Sequence, residues 1–205
     1  MCKAVLFDFG GVVAEEGFRD GLRAIGKKNG LNPDRFFAAA DELIFDTGYL
    51  TGQADEAAYW NALRARTGVA GSDEELRSEI LKRFVLRPAV IEVVDCLRRQ
   101  GATVAMLSDQ TNWLEELDRE SPFFRHFDRV FNSYNLHKSK RDPSVFRDVC
   151  RMLGVECTHS LFIDDNAGHI RRAAAEGLQT IHFTTVSDFE KQLARFTQTR
   201  KEVSP

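Results

Sequence analysis

An aspartate, a serine, a pair of adjacent aspartates and a lysine-rich loop each follow a short apolar run, and these residue types attack, bind and neutralise small anions. Asp8 lies in the apolar stretch 3–9, just ahead of Gly10 and Gly11. Ser108 closes a second run, Asp164 and Asp165 close a third, and His137, Lys138, Ser139 and Lys140 come after the run through Phe131. Taken singly, an aspartate or serine at such a place serves equally well as a helix or turn cap. A lone loop lysine is usually a solvated charge. The acidic doublet says more. Two adjacent carboxylates after a buried strand repel each other and resist desolvation, so a cation is the simplest reason for them to stand there.

The elements that must position these groups read as a parallel α/β sheet. The continuous apolar run at 3–9, broken by two glycines, fits a central strand buried on both faces. From residue 18 to residue 84 the pattern is helical. Leu22 and Ile25, then Phe36, Phe37, Leu43 and Ile44, then Tyr59, Trp60 and Leu63 recur at three-and-four spacing. Asn32 before Pro33, and Ser72 before Asp73, Glu74 and Glu75, are expected amino-terminal caps. After Pro88 the grammar alternates: helix 88–100 closed by Gly101, strand 103–107, helix 113–117, strand 129–131, helix 143–153, strand 161–163, a helix through Ala173 to Gly177, and strand 180–183. Strands separated by helices of this length pair by crossover into a parallel sheet covered on both faces. In such sheets ligands bind outside the carboxyl ends of the strands, where Asp8, Ser108, Asp164 and Asp165 fall. The polar tail after Phe196 is expected to fray.

The bulk properties narrow the functional classes. The 205 residues suffice for one α/β domain with a modest insertion. With 43% hydrophobic and 29% charged residues, no segment is biased enough for disorder. A net charge of -3 offers no basic face to a nucleic acid. Cys2, Cys96, Cys150 and Cys157 form no zinc-type spacing and are expected to be idle thiols in a reducing compartment. The opening residues run straight into a strand without the features of a secretory leader, and no apolar stretch approaches a membrane span, so a cytoplasmic protein is expected. His126, His159, His169 and His182 show no ligand spacing. Trp60 and Trp113 are expected to be packing residues, while Phe45, Tyr49 and Gln53 are candidates for either a pocket or the insertion's own core.

Taken together, these segments resemble the haloacid dehalogenase superfamily over nearly the whole chain. Phe7-Asp8-Phe9-Gly10-Gly11 is similar to that family's first motif, a strand followed by Asp-x-Asp-Gly, and Met106-Leu107-Ser108-Asp109 to its second. Lys140-Arg141-Asp142-Pro143 is similar to the third, with Arg141 in place of the first proline, and Phe162-Ile163-Asp164-Asp165 to the fourth. The resemblance implies a three-layer Rossmann-like core made of residues 1–15 and 86–205, with an α-helical cap at 16–85. It further implies a phosphatase of small phosphorylated metabolites. Asp8 would be the nucleophile that forms an aspartyl-phosphate. Ser108, the Asp109 amide and Lys140, preferred to Lys138 by register from Pro143, would bind and stabilise the phosphoryl group. Mg²⁺ would be held by Asp8, the Gly10 carbonyl and Asp165, with Asp164 close by.

Gly10 departs from the pattern, because the family's acid/base is the second aspartate of the first motif. Its loss is worth about 10²–10⁴ in rate unless Glu15, Glu16 or His137 substitutes, and it favours a substrate with a good leaving group. A turn needing φ > 0 is the structural alternative for this glycine pair. The Asp-x-Gly-Gly start also resembles a branch with sugar-1-phosphate phosphatases and the phosphatase domain of soluble epoxide hydrolases. Two rival readings stand beside the phosphatase: a metal-independent 2-haloacid dehalogenase, which the acidic pair disfavours, and a phosphate- and metal-binding protein with little or no turnover.

Overall fold

The computed structural model describes residues 3–198, the side chains of 195–198 excepted. Cys2 and the tail beyond Gln198 lie outside the described residues, so the readings made there go no further.

Five strands form one parallel sheet: β1 (Ala4–Phe7), β2 (Thr103–Ser108), β3 (Arg129–Asn132), β4 (Ser160–Asp164) and β5 (Gln179–His182), in the order β3-β2-β1-β4-β5. The chain leaves the central β1 for β2 and β3 on one side, then returns past it to β4 and β5. The crevice beside β1 is therefore the topological switch point. Alternation along each strand feeds two apolar layers. Val5, Phe7, Val104, Met106, Leu161 and Ile163 face one side, where they pack with residues of α5 (Pro88–Arg99), α6 (Trp113–Glu120) and α10 (Val186–Gln198). Leu6, Ala105, Leu107 and Phe162 face the other side, against α8 (Ser144–Met152) and α9 (Ala167–Ala175). The expected three-layer α/β architecture is thus observed.

Between β1 and α5 the regular structure is helical: α1 (Gly17–Lys28), α2 (Pro33–Asp46), a 3₁₀ turn (Tyr49–Thr51), α3 (Glu56–Thr67) and α4 (Asp73–Leu81). The expected caps form. The Asn32 side chain accepts from the amides of Asp34 and Arg35, and Ser72 exchanges bonds with Glu75 in a capping box. The two linkers to this insertion are paired with each other, since Glu15 N donates to Val85 O at 2.8 Å and Arg87 N to Val13 O at 2.8 Å. Tyr49, Tyr59 and Trp60 of the insertion meet Trp113 of α6 in one aromatic cluster, the two indoles stacked 5.9 Å apart. Both tryptophans are fully buried, as the sequence reading expected.

Three features differ from the sequence reading. A helix the sequence reading did not assign, α10, runs to Gln198, and its Phe189 packs edge-on to Phe7 at 6.0 Å; the fraying expected after Phe196 concerns a tail that from residue 199 lies outside the described residues. The spacing of Val186, Phe189 and Leu193 was the available signal, masked by the surrounding polar residues. A short helix, α7 (Ser133–Leu136), follows β3 at once, and 3₁₀ turns precede β3 and β4. Elements this short carry too few residues to show a period.

Candidate active site

Strand register brings the first and last acidic segments level. Phe7 pairs with Ile163, so Asp8 and Asp164 stand side by side one residue further on, on the sheet face that also carries Leu6 and Phe162. The amide of Asp8 continues the ladder, donating to Ile163 O at 2.9 Å. Oδ1 of Asp8 then receives Phe9 N at 2.8 Å and Lys140 Nζ at 2.8 Å. The same ammonium lies 2.7 Å from Asp164 Oδ2, and Lys140 is only 1% exposed.

Lys140 is positioned through its backbone. Its amide donates to both oxygens of Asp109, at 2.9 and 3.1 Å, and its carbonyl accepts from Arg172 Nε at 2.7 Å. Asp164 is held by Asn166 N at 2.7 Å and by the His169 ring at 3.1 Å. The loop after β1 is clamped from outside by Arg87, which bonds the carbonyls of Gly11 and Val12 and pairs with Glu15 at 2.7 Å. Gly11 has φ 82°, and a Cβ there would collide with the Asp165 carboxylate, so this position requires glycine on both counts. Gly10 is different: its φ is not positive, and a turn conformation does not explain it.

Charge in the cluster is unbalanced. Burial pushes the Asp8 carboxyl well above the usual carboxylate range, with Lys140 pulling down and Asp164 pushing up. Burial works against Asp164 as well, but Lys140 and His169 hold it down to about 2. Asp164 prevails because it collects more donors than Asp8 does. Burial, reinforced by Asp164, also raises Asp165, while the surrounding aspartates raise Lys140 despite its burial. Asp8, Asp164 and Asp165 can bring one oxygen each to within 4.8 Å of one another. Three carboxyl groups share one ammonium, so ionising all of them calls for a further cation, and an all-oxygen donor set suits a hard divalent one such as Mg²⁺.

Asp8, Gly10, Ser108, Asp109, Lys140 and Asp165 line one cavity of about 240 Å³, and Asp164 lies fully buried beside them. Lys138 stays apart, 2.6 Å from Asp148. Of the groups considered as substitutes at position 10, Glu16 lines the cavity. Glu15 pairs with Arg87, and the His137 ring sits 2.8 Å from Thr51 O. Phe45 also lines it, whereas the Tyr49 hydroxyl donates to Asn112 at 2.7 Å and Gln53 is exposed.

Sequence reasoning missed Phe84, His169 and Arg172, all in the cavity wall. His169 had a local signal, since it falls in the first turn of a helix capped by Asn166 directly after the acidic pair. Arg141, noticed only as a replaced proline, bonds Asp41 of α2 at 3.1 Å, and its guanidinium lies over the Phe45 ring at 3.2 Å.

The chain is similar to known proteins in sequence and in fold. A family model described as haloacid dehalogenase-like hydrolase matches residues 2–177. The chain is 23% identical over 165 residues to phosphoglycolate phosphatase of Pseudomonas syringae pv. tomato, covering 70% of this chain and 61% of that protein. It spans less than two thirds of the length of the curated relatives it matches. Among solved structures, the HAD family enzyme BT-2542 of Bacteroides thetaiotaomicron, in complex with magnesium and inorganic phosphate, superposes with a TM-score of 0.71 at 20% identity, over 90% of this chain and 95% of that one. L-2-haloacid dehalogenase of Xanthobacter autotrophicus superposes with a TM-score of 0.65 at 19% identity, over 88% and 76%. At these identities the superpositions speak for the fold.

Proposed function

The chain belongs to the haloacid dehalogenase-like hydrolases, and from that premise we propose that it is a phosphatase of small phosphorylated metabolites acting through an aspartyl-phosphate on Asp8. The observation that carries this reading is the Asp8 carboxylate in the cavity wall, 2.8 Å from a buried lysine and beside two further aspartates. Oδ1 is taken up by Phe9 N and Lys140, so Oδ2 is the oxygen left to attack phosphorus. Ser108, the amide of Asp109 and the Lys140 ammonium would hold the phosphoryl oxygens and stabilise their charge as the bond to the leaving group breaks. Bound Mg²⁺, held by Asp8, the Gly10 carbonyl and Asp165 with Asp164 alongside, would offset the repulsion between an anionic nucleophile and an anionic substrate. Residues 1–15 and 86–205 act as the catalytic core. Residues 16–85 act as a cap whose Phe18, Ile44, Phe45 and Leu50 close the cavity with apolar surface and exclude water.

The test is a panel of phosphorylated metabolites assayed with Mg²⁺ and with chelator, alongside Asp8→Asn. Phosphate release that needs both the metal and Asp8 is the expected result. Chloride release from 2-chloropropionate in the presence of chelator would instead favour the dehalogenase, to which the absence of a side chain at position 10 lends support. Beryllofluoride binding without turnover of any substrate would favour the binding protein.

A further inference from the structure

Resting on the phosphatase reading, we propose that Glu16 is the acid/base residue of this site, doing from the amino terminus of α1 what a side chain at position 10 cannot. Position 10 has no side chain, and the space at its Cβ is tight. A Cβ on Gly10 would meet Phe84 Cε1 at 3.2 Å, and the same ring lies against Gly17 and stacks on Phe9 with centroids 5.4 Å apart. An aromatic ring thus crowds the first atom of any side chain at position 10. Glu16 reaches the cavity from the next turn of chain.

Its carboxylate has a free end. Oε1 accepts from Arg19 N at 3.1 Å as the cap of α1, and that bond uses one oxygen. Burial raises the Glu16 carboxyl above its ordinary value, Asp165 and Asp20 adding to the rise while Arg19 opposes it. A carboxyl displaced in this direction keeps its proton closer to neutral pH, as an acid requires. Glu15, its neighbour in sequence, is exposed and paired with Arg87.

The steps balance. Asp8 Oδ2 forms a bond to phosphorus as the bond from phosphorus to the leaving oxygen breaks, and that oxygen takes the Glu16 proton to depart as an alcohol. Glu16, now a carboxylate, takes a proton from water whose oxygen bonds to phosphorus. The bond from Asp8 to phosphorus breaks, inorganic phosphate leaves and Glu16 is again protonated.

Glu16→Gln separates this role from a structural one, because glutamine keeps a carbonyl oxygen to cap α1. Phosphorylation of the Mg²⁺-loaded protein is read by intact mass after acid quench, with ethyl phosphate as the poor leaving group and acetyl phosphate as the good one. In Glu16→Gln, phosphorylation by ethyl phosphate should fall about 10²-fold or more. Acetyl phosphate should still label Asp8 at close to the wild-type rate, and the label should persist because its hydrolysis has lost the base. Equal losses with both donors, or no loss with either, overturns the assignment of Glu16. Absence of both label and released phosphate in wild type, or label surviving in Asp8→Asn, overturns the phosphatase reading itself and with it the inference.

Discussion

The Phe84 ring stands 3.2 Å from the point where a side chain on Gly10 would begin. Both residues line the cavity, so a side chain at position 10 would press on this ring. Gly10→Asp alone should therefore add strain rather than activity, at a cost of about 1–3 kcal/mol for overpacking. Combined with Phe84→Leu, the new carboxylate gains room, and turnover of ethyl phosphate should exceed that of either single variant. Urea unfolding and steady-state assays on the three variants check this. A fully stable, more active Gly10→Asp single variant would contradict it.

Lys140 is buried between Asp8 and Asp164, at 2.8 and 2.7 Å. Lys140→Met removes the cation and leaves the carboxylates unpaired, which should lower the unfolding free energy by about 3–5 kcal/mol in chelator. Lys140→Arg should not restore the wild type, because the guanidinium is planar and larger than the space an ammonium fills. An unchanged denaturation midpoint for Lys140→Met would show that the cluster is neutralised some other way.

Metal affinity should rise with pH. Burial lifts the Asp8 and Asp165 carboxyls, so the folded protein without metal favours their protonated forms. Their contribution to stability is fully present below the ordinary carboxylate range and is lost as pH rises through the raised values. A cation needs both carboxylates ionised and competes with those protons. The rise in melting temperature caused by Mg²⁺ should accordingly be larger at about pH 7.5 than at about pH 5. Asp164 runs the other way: held down to about 2, it stabilises the fold above the ordinary range and loses that contribution only as pH falls towards 2. A magnesium shift that grows on acidification would rule out this cluster as the metal site.

Arg141 joins the loop that carries Lys140 to α2 of the insertion, through Asp41 at 3.1 Å and the face of Phe45. Arg141→Ala should raise KM about tenfold while changing kcat little, since the guanidinium shapes the mouth of the cavity and does not touch Asp8. Arg141→Lys should recover little of this, because an ammonium stacks poorly on an aromatic face. Parallel losses in kcat and kcat/KM would assign Arg141 to the chemical step instead.

Gly11 has φ 82° and no space for a Cβ beside Asp165. Gly11→Ala should destabilise the fold by about 1–3 kcal/mol and weaken Mg²⁺ binding by displacing the Asp165 carboxylate. Calorimetric titration of Mg²⁺ into the variant reads the second effect directly, and unaltered affinity would detach Asp165 from the metal site.

The strands, the helical insertion and the carboxyl-edge position of Asp8, Ser108, Asp164 and Asp165 were legible in the chain itself. Each depends on periodicity or capping within a dozen residues, and parallel pairing then aligns the strand ends. Only the tertiary structure decided that Lys140 bonds Asp164 across 24 positions, that Arg87 clamps Gly11 across 76, and that Phe84 packs against Gly10. It also decided which of Glu15, Glu16 and His137 enters the cavity. Such contacts join residues remote in sequence, and the direction of a side chain there is set by the packing of the insertion against the sheet, which no local pattern records.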